Sequence, residues 1–150
     1  MQLPKSLGAL KASGYISRST KDELRENLLE QIRSGRKRWP GIIGYDRTVL
    51  PQLENAILSK HDILLLGLRG QAKTRILRQL VNFLDEFVPI IKGSALNEDP
   101  LQPITKASKE LATQAGDDLE IAWLPRAERY HEKLATPDVS VADLIGDLDP

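Results

Sequence analysis

The chain has 150 residues with 21 Lys+Arg against 21 Asp+Glu, a formal net charge of zero that argues against a generally basic nucleic-acid binder and against an acidic disordered tail. A hydrophobic share of 41% over this length predicts one domain with a packed core. The absence of Cys excludes a disulfide framework, thiolate zinc sites and a cysteine nucleophile.

Lys5, Lys11, Arg18, Lys21 and Asp22 interrupt the first thirty residues, so no signal-peptide apolar region forms. No stretch approaches the ~20 apolar residues of a membrane span. The expectation is a soluble, cytoplasmic protein. Residues 1–19 are polar, contain Pro4, Gly8 and Gly14, and predict a loosely ordered leader. Thr20-Lys21-Asp22-Glu23 fits a capping box, after which Leu24, Leu28, Leu29 and Ile32 recur on one helical face until Ser34-Gly35 supplies the stop.

Arg36-Lys37-Arg38 is the one dense basic run, a solvated helix exit or, alternatively, a phosphate or nucleic-acid contact. Trp39-Pro40-Gly41-Ile42-Ile43-Gly44 is apolar but broken by Pro and Gly, which predicts a structured loop. A helix over Thr48–Ser59 follows, with Pro51 in its first turn and Val49, Leu53 and Ile57 spaced by four.

His61-Asp62-Ile63-Leu64-Leu65-Leu66-Gly67 is a short continuous apolar block ended by Gly, the pattern of a central parallel strand buried on both faces. Ile76, Leu77, Leu80, Val81, Leu84 and Phe87 then form a helical stripe, so strand, Gly-containing turn and helix read as half of a βαβ unit. Further strands are expected near Val88–Lys92, weakened by Pro89, and over Leu119–Leu124. Short helices are expected near Thr105–Thr113 and Ala142–Ile145, and Arg126–Lys133 reads as a charged, exposed stretch.

Between that strand and helix lie Gly67-Leu68-Arg69-Gly70-Gln71-Ala72-Lys73-Thr74, which match G-x-x-x-x-G-K-[ST] except at Ala72. Backbone amides wrapped around an anion at a helix start bind phosphate with few side chains. Lys73 would reach the β and γ phosphates, and the Thr74 hydroxyl would ligate Mg²⁺. Gly67 and Gly70 permit close backbone approach, and the Ala72 methyl is tolerated where the local φ is helical. A plain strand-to-helix turn is the competing reading; eight residues exceed what it needs, and a first-turn Lys opposes the helix dipole unless an anion compensates.

Asp62 through Thr74 resembles the Walker A region of AAA+ ATPases of the MoxR and magnesium-chelatase I-subunit group, in which an Ala-Lys-Thr ending is common. Ile42-Ile43-Gly44-Tyr45 resembles the family's Ile-Val-Gly-Gln stretch; Leu134-Ala135-Thr136-Pro137 and Asp143 through Asp149 resemble its pattern ending in Leu-Val-Gly-Ser-Leu-Asp. The resemblance covers about residues 40–149. It implies an α/β P-loop NTPase fold of AAA+ type, a three-layer sandwich with a parallel sheet, incomplete at its C-terminus. Residues 1–38 would form a helical extension with one amphipathic helix, and residues 39–150 the N-terminal part of the ATPase domain, ending before Walker B.

The resemblance further implies adenine contact by Ile42, Ile43 and Gly44, and a phosphate loop of Gly67, Leu68, Arg69, Gly70, Gln71, Ala72, Lys73 and Thr74. Lys73 and Thr74 would be catalytic, with Thr74 on the metal and ATP and Mg²⁺ as cofactors. In the full-length protein it implies ATP hydrolysis in a homo-oligomeric ring that remodels or assembles a client protein. Walker B, the water-positioning Asn and the Arg finger have no counterpart in this chain. Nucleotide binding without turnover is therefore a second expectation, and a nucleic-acid contact through Arg36–Arg38 and Arg69 a third. His61 and His131, without Cys partners, do not predict a metal site. Trp39 and Trp123 read as packing residues.

Overall fold

The computed structural model describes residues 3–133 and 138–146. Helices α1 (Leu7–Ala12), α2 (Thr20–Arg33), α3 (Val49–Leu58), α4 (Lys73–Gln79), α5 (Lys106–Ala115) and α6 (Ala142–Ile145) accompany strands β1 (Phe87–Ile91) and β2 (Ile121–Pro125). The segments Leu134–Pro137 and Asp147–Asp149, which carry part of the family resemblance, lie outside the described residues.

The two strands pair antiparallel, Phe87 opposite Pro125 and Ile91 opposite Ile121, as a two-stranded sheet. This overturns the expected three-layer sandwich with a parallel sheet. The chain after β1 makes a long excursion through α5 and returns beside β1 in the opposite direction, so no crossover brings a strand alongside residues 62–67. Among the described residues these belong to no strand or helix. Ile63 and Leu65 pack against the core, whereas Leu64, Leu66 and Leu68 are 80%, 84% and 77% exposed. The apolar block is therefore buried on one face only.

Two apolar clusters hold the molecule. The larger joins Leu28 of α2, Trp39 and Ile42, Leu50, Leu53 and Ile57 of α3, Ile76 of α4, and Phe83. Each such burial is worth about 1.5–3 kcal/mol relative to an exposed side chain. Trp39 and Phe83 stack at a tilt of 60° with ring centroids 5.0 Å apart, an edge-biased arrangement favoured by the ring quadrupoles. Trp39 thus packs as expected from sequence. The stripe that begins on α4 continues through a 3-10 turn at Leu80–Phe83 and reaches Leu84, where Asn27 donates to the Phe83 carbonyl at 2.9 Å and ties α2 to the turn.

The smaller cluster gathers Leu7, Ile91 and Leu119, with Leu101, Ala112 and Ala115 packed against it. Its first member corrects the loosely ordered leader. Ser6 caps α1, Leu7 and Leu10 are buried, and the Leu7 amide donates to the Leu119 carbonyl at 2.9 Å. Trp123 also donates from its indole N–H to the Pro4 carbonyl at 2.7 Å. Those ties follow from the early leucines, whose spacing of three suits a short helix better than a leader.

The helix starts are set by hydroxyl caps. Ser19, not Thr20, caps α2 by accepting from the Asp22 amide at 3.1 Å, and Glu23 turns away from the expected capping box into the interior. Thr105 caps α5 from the Ser108 amide, as its position before the helix predicts. The α2 stop at Ser34-Gly35 and the α3 span hold as read from sequence.

Candidate phosphate-loop site

The loop from Gly67 to Ala72 closes on itself around the side chain of Lys73, the first residue of α4. The Lys73 Nζ donates to the Gly67 carbonyl at 2.8 Å and to the Leu68 carbonyl at 2.6 Å. Such a fold requires backbone reversals. Gly70 has φ 81° and Ala72 φ 56° and ψ 15°, the left-handed region. The condition under which the Ala72 methyl costs little, a right-handed helical φ, is not met: the side chain is carried at a position that favours Gly.

At Gly67 a Cβ would collide with Oε1 of Gln71 and lie 4.0 Å from Nζ of Lys73. The space left by the missing side chain faces the loop's ammonium group. Leu68, Arg69, Gly70, Gln71 and Thr74 are exposed, so the loop's outer surface is open to a ligand. The residues fit a phosphate group in two respects: a cation held within the loop and glycine where backbone must be approached. They fit Mg²⁺ less completely. Thr74 contributes one hydroxyl, and among the described residues no group of three or more His, Asp or Glu side chains converges to hold a metal ion.

The structure divides the residues assigned to adenine. Ile42 is buried in the larger cluster beside Ile76, and Ile43 is 87% exposed. With Trp39 and the Arg36–Arg38 run they line a cleft of about 500 Å³, whereas Lys73 lines a different one. Gly44 follows in a left-handed turn at φ 84°. The residue of this stretch that does reach the loop is Tyr45. Its hydroxyl donates to the Gln71 carbonyl at 3.4 Å, and with Val49, Leu65, Leu66 and Ile76 it lines an apolar cavity of about 280 Å³ that opens onto Gln71 and Lys73. Its place directly after Ile42-Ile43-Gly44, one turn before α3, was the signal available in the sequence.

The turn at Pro40-Gly41 lies over α4. Gln79 donates to the Pro40 carbonyl at 2.7 Å, and a Cβ on Gly41 would strike the Arg75 guanidinium. The 40–45 turn therefore packs against α4 and the loop that precedes it.

Acidic groups are placed elsewhere. Glu120, before β2, pairs with Lys92 at 2.6 Å, which draws its carboxyl below the ordinary range. Asp143 accepts from the Ser140 amide and hydroxyl, both at 2.8 Å, and serves as a local turn cap. The Arg126–Lys133 stretch is not wholly exposed as its charge predicts: Arg129 enters the interior to meet Glu23. Among the described residues no helix is long and apolar enough to cross a membrane. Comparison with family models, curated proteins and solved structures finds no match.

Proposed function

We propose that this chain binds the phosphate chain of ATP or ADP through Gly67–Thr74. The observation that carries this reading is the loop closed around the Lys73 ammonium, with left-handed backbone at Gly70 and Ala72, in the register of a phosphate-binding motif. The Lys73 ammonium is satisfied by two carbonyls; phosphate oxygens are stronger acceptors and would draw it outward. The Tyr45-lined cavity beside Gln71 offers an apolar wall for the nucleoside part. The fuller activity implied by the MoxR and magnesium-chelatase resemblance is hydrolysis with Mg²⁺ in a homo-oligomeric ring acting on a client protein. That activity needs a carboxylate near Thr74. Among the described residues no Asp or Glu pairs with Lys73 or hydrogen-bonds Thr74, which favours binding without turnover by these residues.

Titration calorimetry with ATP and with ADP tests the proposal. Lys73→Ala should weaken binding by about 10- to 100-fold, the worth of a lost charge-assisted hydrogen bond. Equal affinity in the variant, or no heat of binding at millimolar nucleotide, overturns it. Phosphate release by the wild-type chain would shift the reading from binding to hydrolysis.

A further inference from the structure

The cleft between the exit of α2 and the first turn of α3 is independent of the phosphate loop. It spans about 500 Å³, within the size range of ligand sites. Arg36, Lys37 and Arg38 line it, with buried Trp39, Ile42 and Leu50 as its floor and exposed Ile43, Asp46 and Pro51 at its rim.

Its charges are not equivalent. Arg38 is committed to the fold: its Nε lies 2.7 Å from Oε1 of Glu54, which also accepts from the Trp39 indole N–H at 2.9 Å. That arrangement neutralises Glu54 and fixes Trp39 in the floor. Among the described residues neither Arg36 nor Lys37 forms an ion pair, and both are exposed. Asp46, exposed on the opposite rim, offsets one of these two charges, so the open cleft remains net cationic. Ile43 stands beside them 87% exposed, an apolar side chain at a position where solvation is unfavourable.

We infer that this cleft is a docking site for an acidic peptide segment that carries an apolar side chain. Arg36 and Lys37 supply the complementary charge, and the exposed side chains of Ile43 and Pro51 supply the apolar contact. A nucleic acid would meet the same cations but lacks a stacking surface: Trp39, the cleft's aromatic residue, is 5% exposed and its face is covered by Phe83. Charge complementarity beside the exposed apolar side chains of Ile43 and Pro51 therefore selects peptide over nucleic acid.

The test is fluorescence polarisation with a fluorescein-labelled decapeptide of alternating Glu and Leu, compared with its Lys and Leu counterpart. Saturable binding of the acidic probe is expected, weakened at least about tenfold by the double variant Arg36→Glu/Lys37→Glu and comparably by Ile43→Asp. These side chains project into solvent, and an unchanged melting temperature confirms that each variant folds. Lys73→Ala should leave the peptide affinity unchanged, which separates this site from the nucleotide loop. Absence of saturation, equal binding of the basic probe, undiminished binding by the double variant, or displacement of the peptide by oligo-dT would each overturn the inference.

Discussion

Arg129 holds Glu23 through two parallel hydrogen bonds, 2.7 Å from Nη1 to Oε1 and 2.6 Å from Nη2 to Oε2, although 106 residues separate them in the chain. The pair joins the first turn of α2 to the segment that follows β2, and Oε1 of Glu23 also accepts from the Asp85 amide. Glu23 is buried and Arg129 largely so, with 4% and 14% of their side-chain surface exposed. Hydrogen bonding to Glu23 raises the Arg129 guanidinium above its ordinary value, so it remains charged throughout the working pH range.

Breaking one side of this pair strands the other. Arg129→Ala should destabilise the fold by about 3 kcal/mol, because an uncompensated carboxylate is then left in the interior. The double variant Glu23→Gln/Arg129→Met should lose less than the sum of the single variants. A double-mutant cycle by urea denaturation checks both statements, and additive losses would show that the two residues act independently.

Glu98 is the buried carboxylate whose charge depends on hydroxyls and amides, without a cation. The Ser108 hydroxyl donates to it at 2.7 Å, and the Thr105 amide and hydroxyl and the Ile104 amide add further donors. The Ser108 bond is the leading cause of a pKa lowered from 4.5 to about 2. A depressed folded-state pKa contributes stability that is present above the unfolded value and lost as pH falls through the folded one. The melting temperature should therefore decline between pH 4.5 and about 2. Glu98→Gln should melt lower at neutral pH and decline less over that window, measured by thermal circular dichroism; parallel profiles would assign the acid sensitivity elsewhere.

Along residues 63–68 alternate side chains face the core and the solvent, and substitutions there should obey the alternation. Ile63→Ala and Leu65→Ala remove contacts to the larger cluster and should each cost about 1–2 kcal/mol. Leu64→Lys and Leu66→Lys, at exposed positions, should stay within about 0.5 kcal/mol of wild type and raise solubility. Chemical denaturation measures the first effect and light scattering at high concentration the second. Equal losses at all four positions would mean that both faces are covered.

That segment also marks where the sequence stops being informative. A run of Ile and Leu reports that the residues avoid water, a pattern that by itself predicts burial on both faces of a parallel sheet. Which strand lies beside it depends on where the chain goes after Ile91, and nothing local to residues 62–67 encodes that route. Helix α3 was legible because its spacing, its Pro51 and its ending are all local. The loop was legible as a motif, since Gly67, Gly70 and Lys73 fall at fixed intervals. The inward turn of Glu23 toward Arg129 is a partnership across 106 residues that no local pattern announces.

Ala72 offers the most direct test of the loop's geometry. At φ 56° its methyl group meets the steric opposition that costs a non-glycine residue about 1–2 kcal/mol. Ala72→Gly removes that opposition but releases unfolded-chain entropy of about 0.4–1 kcal/mol, and the difference leaves a stabilisation between zero and about 1.6 kcal/mol. Ala72→Val adds a branched side chain at a conformation that such residues rarely adopt, and should destabilise by about 2 kcal/mol. If the same turn presents amides to phosphate, Ala72→Gly should retain ATP affinity in calorimetry while Ala72→Val loses it in step with the distorted loop. A Val variant as stable as wild type would show that residue 72 is not left-handed in solution, and the phosphate-loop geometry would fall with it.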